Sequence, residues 1–251
     1  MLIVNSFWIG RKLGTVHAAC LRSFVRNGHD VVLHAFGRPE DTPDGVRIFD
    51  AAKLMAETEI ISHKKTGSLA LASDVYRYRI MREGLGIYID ADMYCIKPMT
   101  DDEYLFGFEN ADRLNGAVLK IPQNSGLLTD ILKAAEDPYF IPPWMEFHKR
   151  AIGTIRKTIG FPRHISTRTW GAIGPALITH CVRERGLLSK AKPVELYYPL
   201  DCAQTDRLFK RGLRVEDIAT GKTEAIHLFN TMIKDKEILP DTPLHQIITA
   251  K

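Results

Sequence analysis

The first thirty-six residues restrict the fold more than any other stretch of the chain. Leu2-Ile3-Val4 opens a short buried strand that runs into Asn5-Ser6-Phe7-Trp8. Residues 15–26 place Val16, Ala19, Cys20 and Phe24 near one helical face and stop at Asn27-Gly28. Residues 30–36 (DVVLHAF) then read as a second strand, ended by Gly37-Arg38-Pro39. A strand, a helix and a strand of these lengths imply an α/β fold with helices flanking a mixed, mainly parallel sheet. No G-x-G-x-x-G follows the first strand, so the dinucleotide fingerprint is absent, although the strand ends of such a sheet still offer a nucleotide site.

Composition narrows the class. With 251 residues, 45% of them hydrophobic and 25% charged, the chain can bury a full core, and one domain over 1–251 is expected. A net charge of +4 fits an anionic substrate or an acidic surface without calling for nucleic acid. Cys20, Cys95, Cys181 and Cys202 form no C-x-x-C pair, which argues against a zinc knuckle and for a reducing compartment. The opening MLIVNSFWIG has no basic region of a signal peptide, and no run of about 18 apolar residues occurs. A cytoplasmic location, with contact at the inner membrane surface, is the expectation.

Further elements follow from pattern. Residues 46–49 read as a strand and 68–83 (SLALASDVYRYRIMRE) as a helix, with Asp74 and Arg77 as i, i+3 neighbours. That spacing fits a local salt bridge, or two groups facing a ligand. Residues 104–109 and 114–119 are strands and 125–135 a helix, while 195–199 (ELYYP) reads as another strand. Residues 234–251 look like loop and a frayed end. Phe7-Trp8 after the first strand are either core aromatics or a platform for a nucleobase.

The stretch Gly84 to Pro98 (GLGIYIDADMYCIKP) carries the chemistry. A glycine turn leads into Ile87-Tyr88-Ile89 and then into two carboxylates one residue apart. In extended backbone, Asp90 and Asp92 point to the same side. Two like charges so placed are costly unless a cation sits with them, and a hard divalent ion completed by substrate phosphates fits. Asp-x-Asp alone is common in solvated turns, and the apolar strand before it is what favours a site. Asn115-Gly116 reads as a turn or as part of a ligand site, and Glu109 as a helper in the chemistry or a loop charge. His227, in Ala225-Ile226-His227-Leu228-Phe229-Asn230, is either a packed core histidine or a metal ligand. From 147 to 183 no acidic residue occurs; this basic stretch is a solvated face or a contact for an acceptor or an anionic lipid.

Taken together, Ala72-Ser73-Asp74-Val75-Tyr76-Arg77-Tyr78 and Gly84-Leu85-Gly86-Ile87-Tyr88-Ile89-Asp90-Ala91-Asp92 resemble the signature of DXD-containing glycosyltransferases of the sugar-binding-region type, family 32-like. The match lies at Asp74, Arg77, Tyr78, Gly86, Ile87, Tyr88, Asp90 and Asp92; Leu85 and Met81 depart from the usual Gly and Leu. Thr169-Trp170-Gly171-Ala172-Ile173-Gly174-Pro175 resembles a second element of these enzymes, and the ELYYP segment a third. The resemblance implies a GT-A fold and a nucleotide-sugar donor, a UDP-sugar in first place, held through Mn²⁺ or Mg²⁺. It implies sugar transfer to a hydroxyl of a glycan or lipid-linked acceptor, with retention, in glycan or surface-polysaccharide synthesis, 1–125 forming the nucleotide-sugar-binding half and 126–251 the acceptor-side half. On this reading Asp90, Asp92, Arg77 and Glu109 serve catalysis. Phe7, Trp8, Asp74, Arg77, Tyr78, Asp90, Asn115 and Gly116 hold the donor, and Asp90, Asp92 and His227 hold the metal. The rivals are a phosphatase of the haloacid-dehalogenase type, which also uses Asp-x-Asp after an apolar strand, and an inactive nucleotide- or glycan-binding module.

Overall fold

The computed structural model describes residues 1–169 and 171–250. Its elements, in order, are β1 (Ile3–Trp8), α1 (Thr15–Arg26), β2 (Asp30–Ala35), β3 (Arg47–Asp50), α2 (Ala70–Arg82), β4 (Ile87–Ile89), β5 (Met93–Cys95), β6 (Leu105–Phe108) and β7 (Leu114–Lys120). After these come α3 (Gly126–Ala135), α4 (Phe147–Thr158), α5 (Pro175–Glu184), α6 (Val194–Tyr197), β8 (Ala225–His227), α7 (Asn230–Ile233) and α8 (Pro243–Thr249). Short 3-10 turns join several of them.

Six strands form one sheet in the order β3-β2-β1-β4-β7-β6. β1 lies parallel to β2 and to β4, and β2 parallel to β3, while β7 is antiparallel to both β4 and β6. The molecule is thus a mixed α/β protein with a mainly parallel sheet flanked by helices. The chain builds outward from β1 through β2 to β3, then returns through α2 to add β4 on the other side of β1. The order therefore reverses between β1 and β4, and such a reversal opens a crevice at the carboxyl ends of the two strands. Trp8 ends β1 there, and Asp90 follows the last residue of β4.

Local sequence explains the close fit of these two strands. Gly86 enters β4 at φ 117°, and a Cβ on it would meet the Ile3 carbonyl oxygen at 2.5 Å. Only glycine permits both the dihedral and the approach. The neighbouring Asn5 of β1 is buried and donates to the carbonyls of Leu85 and Ile87 at 2.9 and 3.2 Å, so the edge of β4 is pinned from the side. α2 buries Leu71, Ala72, Tyr76, Tyr78, Ile80 and Met81, on more than one face, because it packs on the sheet and also carries α3. Burial of each large apolar side chain of this kind contributes about 1.5–3 kcal/mol.

Three expectations change. Residues 194–197 form the helix α6 rather than a strand: Pro193 precedes it, and Val194, Tyr197 and Tyr198 follow the i, i+3, i+4 spacing, with both tyrosines buried. Sheet-like pairing in this region falls instead on Lys192, bridged to Gly107. The end of the chain is also structured. Thr242 caps α8 through the His245 N–H, and the buried Leu244 and Ile247 join a core that includes Ala19 and Cys20 of α1. Finally, the extended backbone expected through Asp92 stops at Ile89. Ala91 and Asp92 turn, closed by the Met93 N–H on the Asp90 carbonyl at 3.0 Å.

Candidate active site

The crevice between β1 and β4 opens into a cleft of about 540 Å³, and its wall includes Trp8, Asp74, Arg77, Asp90, Asp92 and His227. These residues come from opposite ends of the sequence. α2 supplies Asp74 and Arg77 and the turn after β4 supplies the two aspartates. β8 brings His227, because β5 and β8 pair antiparallel with Met93 opposite His227.

Arg77 lies at the centre of one group. Its guanidinium donates to Asp90 Oδ1 at 3.0 Å, approaches Asp74 Oδ1 at 3.4 Å and lies over the Tyr88 ring at 4.8 Å. The Tyr88 hydroxyl donates to the same Asp90 Oδ1 at 2.8 Å. Asp90 is thereby held by one oxygen from the protein side. Burial disfavours the charged guanidinium, yet the charge of Asp90, with Tyr88 and Asp74, outweighs that and raises the Arg77 pKa. Burial pushes the Asp74 carboxyl up to about 6, against the pull of Arg77 and with the charge of Asp90 adding to it. Space for this group is kept by glycines. A Cβ on Gly116 would meet Arg77 Nη1 at 2.7 Å, and one on Gly174 would meet both Asp74 carboxylate oxygens at 2.7 Å.

The second group is Asp90, Asp92 and His227, which each offer one ligand atom, all within 4.8 Å of one another. His227 Nε2 lies 3.3 Å from Asp92 Oδ1, and the Asn230 N–H donates to Asp92 Oδ2 at 2.8 Å. Phe229, which precedes Asn230 at the head of α7, takes φ 52°, an unusual conformation for a bulky residue. Burial alone would raise the Asp92 pKa, but the charge and hydrogen bond of His227 and the Asn230 N–H hold it well below the usual carboxylate range. Burial would likewise lower the His227 pKa, and the Asp92 charge reverses this. The donor set suits a divalent cation. Two carboxylates and an imidazole fit Mn²⁺, whereas Mg²⁺ prefers oxygen ligands alone. The buried Nδ1 of His227 also has no hydrogen-bond partner among the described residues, as expected of a ring with ligating capacity to spare.

The remaining expected residues divide. Trp8 lines the cleft, its ring 4.5 Å from His17 and its Nε1 donating to the Lys12 carbonyl. Phe7 reaches the cleft wall, but its face is covered by Tyr76, stacked at 3.8 Å and 4°, so it is mainly a core aromatic. Tyr78 is fully buried and donates to the Ile173 carbonyl at 2.8 Å; it braces α2 against the start of α5 and is not on the cleft wall. Gly116 is likewise behind Arg77 rather than on the wall. Asn115 and Glu109 line the cleft, with Asn115 Oδ1 accepting from the Ala117 N–H and Glu109 facing Arg113 at 3.4 Å. Arg113, His17, Phe229 and Asn230 are cleft residues that sequence reasoning does not single out. Tyr88 belongs to the recognised motif, yet its bond to Asp90 needs the fold to be seen. Trp170 lies outside the described residues.

No family model matches the chain. A stretch of 141 residues, 53% of the chain, is 25% identical to the Subversion of eukaryotic traffic protein A of Legionella pneumophila. The match spans only 21% of that protein's length. Among solved structures, a PaToxG glycosyltransferase aligns with a TM-score of 0.49 and 14% identity, covering 76% of this chain and 71% of that one. The apo structure of the WbbM bifunctional glycosyltransferase aligns with a TM-score of 0.39 and 12% identity, over 98% of this chain and 48% of the other.

Proposed function

We propose that the chain is a metal-dependent glycosyltransferase that moves a hexose from a nucleotide-sugar donor, a UDP-sugar in first place, to a hydroxyl of a glycan or lipid-linked acceptor, with retention, in glycan or surface-polysaccharide synthesis. The observation that carries this reading is the meeting of two groups at one switch point. The Asp90-Asp92-His227 cluster shares Asp90 with the buried Arg77-Asp74 pair, at the carboxyl ends of β1 and β4. The motif that resembles family 32-like enzymes supplies Asp74, Arg77, Asp90 and Asp92, and β8 adds His227.

Asp90, Asp92 and His227 would hold the divalent ion, which when bound acts as a Lewis acid toward the charge of a departing diphosphate. Arg77 and Asp74, fixed against each other, would bind hydroxyls of the donor sugar or ribose. Trp8 offers a face to the base, and Asn115 a polar edge to the sugar. In the transfer, the bond between the anomeric carbon and the diphosphate oxygen breaks and one to the acceptor oxygen forms. The acceptor proton would leave to a base, a role we give to Glu109, one of the four carboxylates on the cleft wall. Residues 1–125 would thus bind the donor while 126–251 meet the acceptor and return His227 to the metal.

The test is a panel of UDP- and GDP-sugars, with and without Mn²⁺, scored for sugar release and transfer. Metal-dependent turnover of one donor is the expected result. Release of inorganic phosphate from phosphoesters would point to the phosphatase instead. In that chemistry Asp90 would be the nucleophile, although its Oδ1 is occupied by Arg77 and Tyr88. Nucleotide binding without turnover would point to a binding module.

A further inference from the structure

α4 is amphipathic with its sides reversed. Phe147, Ala151, Ile155 and Ile159 recur every four residues with Ile152 beside them, so they share one side of a 3.6-residue helix. In a helix of a folded domain that side faces the core, but α4 buries no side chain at all. Phe147 is 82% exposed, Ile155 and Ile159 60% each, and Phe161 just beyond the helix 70%. The opposite side faces the protein. Gly153 sits where a Cβ would touch the Ile141 side chain at 3.4 Å, and Lys157 reaches back to Asp137 at 2.7 Å. Seven of the twelve large hydrophobics exposed among the described residues (Tyr139, Trp144 and the five aromatic or isoleucine residues between 147 and 161) gather in this one region. Such a concentration marks an interaction surface rather than ordinary surface scatter.

Charge decides between occupants. Arg150, Arg156 and Arg163 are exposed around the apolar side, within a span of 147–183 that holds no Asp or Glu, while Lys149 is paired with Glu146 just before the helix at 3.2 Å. A second copy docking face to face would bring these cations against their own counterparts, which is unfavourable. An anionic bilayer satisfies both features: the isoleucines and phenylalanines enter the headgroup and acyl boundary while the Lys and Arg side chains meet acidic headgroups. We infer that α4, with Phe161, lies flat in the interface of an anionic phospholipid membrane and anchors the protein there.

The test is sedimentation of the full chain with vesicles of phosphatidylcholine alone, or with about a third phosphatidylglycerol, at low and high salt. The expected result is binding to the anionic vesicles only, weakened by salt within the range over which surface charges are screened. Ile155→Glu with Ile159→Glu changes two exposed side chains, so the fold is expected to survive, as circular dichroism and thermal melting will show. Vesicle partition of this variant should fall at least about tenfold, because insertion of the apolar side is half of the two-part anchor. Arg150→Glu with Arg156→Glu should remove most of the salt-sensitive part. No binding of the wild type to anionic vesicles, equal binding to neutral ones, or unchanged binding by the isoleucine variant would overturn the inference. So would a concentration-dependent dimer that the isoleucine variant abolishes, since the occupant would then be a second copy.

Discussion

Tyr76 and Arg77 are consecutive residues of α2, and they enter two different buried polar groups. The Tyr76 side joins His34 of β2 and Asn5 of β1: His34 Nε2 lies 2.9 Å from Asn5 Oδ1, and Nδ1 lies 3.0 Å from the Tyr76 hydroxyl. Asn5 spends its amide N–H groups on the carbonyls of Leu85 and Ile87, so its oxygen must accept and His34 Nε2 must carry the proton. The Tyr76 hydroxyl then donates to Nδ1. Each of these polar contacts has a partner and none needs a charge. Burial accordingly lowers the His34 pKa to about 4, keeping the ring neutral. The Arg77 side is the reverse. Asp74, Asp90 and Asp92 face Arg77 and His227 in a cleft that is open to solvent, and the charges are matched only in part. A closed neutral network fixes the sheet, whereas a charged group left short of a cation invites one.

That contrast can be broken most directly at Asp92. Asp92→Asn should reduce turnover to background and abolish Mn²⁺ binding measured by calorimetry, with the fold kept by circular dichroism and a lower melting temperature, because His227 loses its charged partner. Metal-dependent activity surviving in this variant would remove the basis for the proposed function. Gly116→Ala is the next largest effect. The new methyl must displace Arg77 Nη1 or Ile178 Cδ1, each 2.7 Å away, and a shift of this size in a positioned group costs turnover on the order of a hundredfold. An unchanged kcat would show that Arg77 need not sit where it does.

The neutral group gives a pH signature instead. The folded-state pKa of His34 lies near 4 against 6.5 for the free side chain. Between these values the unfolded chain binds a proton that the folded chain refuses, so stability is kept above pH 6.5 and lost as the pH falls toward 4. The slope is about 1.4 kcal/mol per pH unit from this one group. Denaturant melts of wild type and His34→Gln over that range should diverge, with the variant flatter. The smallest effect belongs to the exposed pair Arg47–Asp30 at the sheet edge, where Arg47→Ala should cost no more than about 1 kcal/mol.

Much of this was legible in the chain because it depends on neighbours in sequence. The alternation of β1, α1 and β2 follows from apolar periodicity and the Asn27-Gly28 stop, and the Asp74/Arg77 and Asp90/Asp92 spacings lie within short segments. The parts that were misread or missed depend on distance. Residues 195–199 offered aromatic, strand-like chemistry, but the helix that forms is 194–197, set by the burial of Tyr197 and Tyr198. Residues 243–249 looked like a frayed tail until α1 supplied a surface for Leu244 and Ile247.

The sequence by itself determined the class of fold and the identity of the two carboxylates, since both are written in local pattern: the period of the side chains and the run of apolar residues before Asp90. Only the tertiary structure decided that His227 and the Asn230 N–H, the latter 138 residues away along the chain, complete the Asp92 site. Only it showed that Tyr78 braces the core, and that the apolar side of α4 faces outward. The physical reason is that strand pairing and helix packing are long-range: which residues meet depends on how β5 finds β8 and where α4 is set down, and no periodicity within either segment encodes its partner.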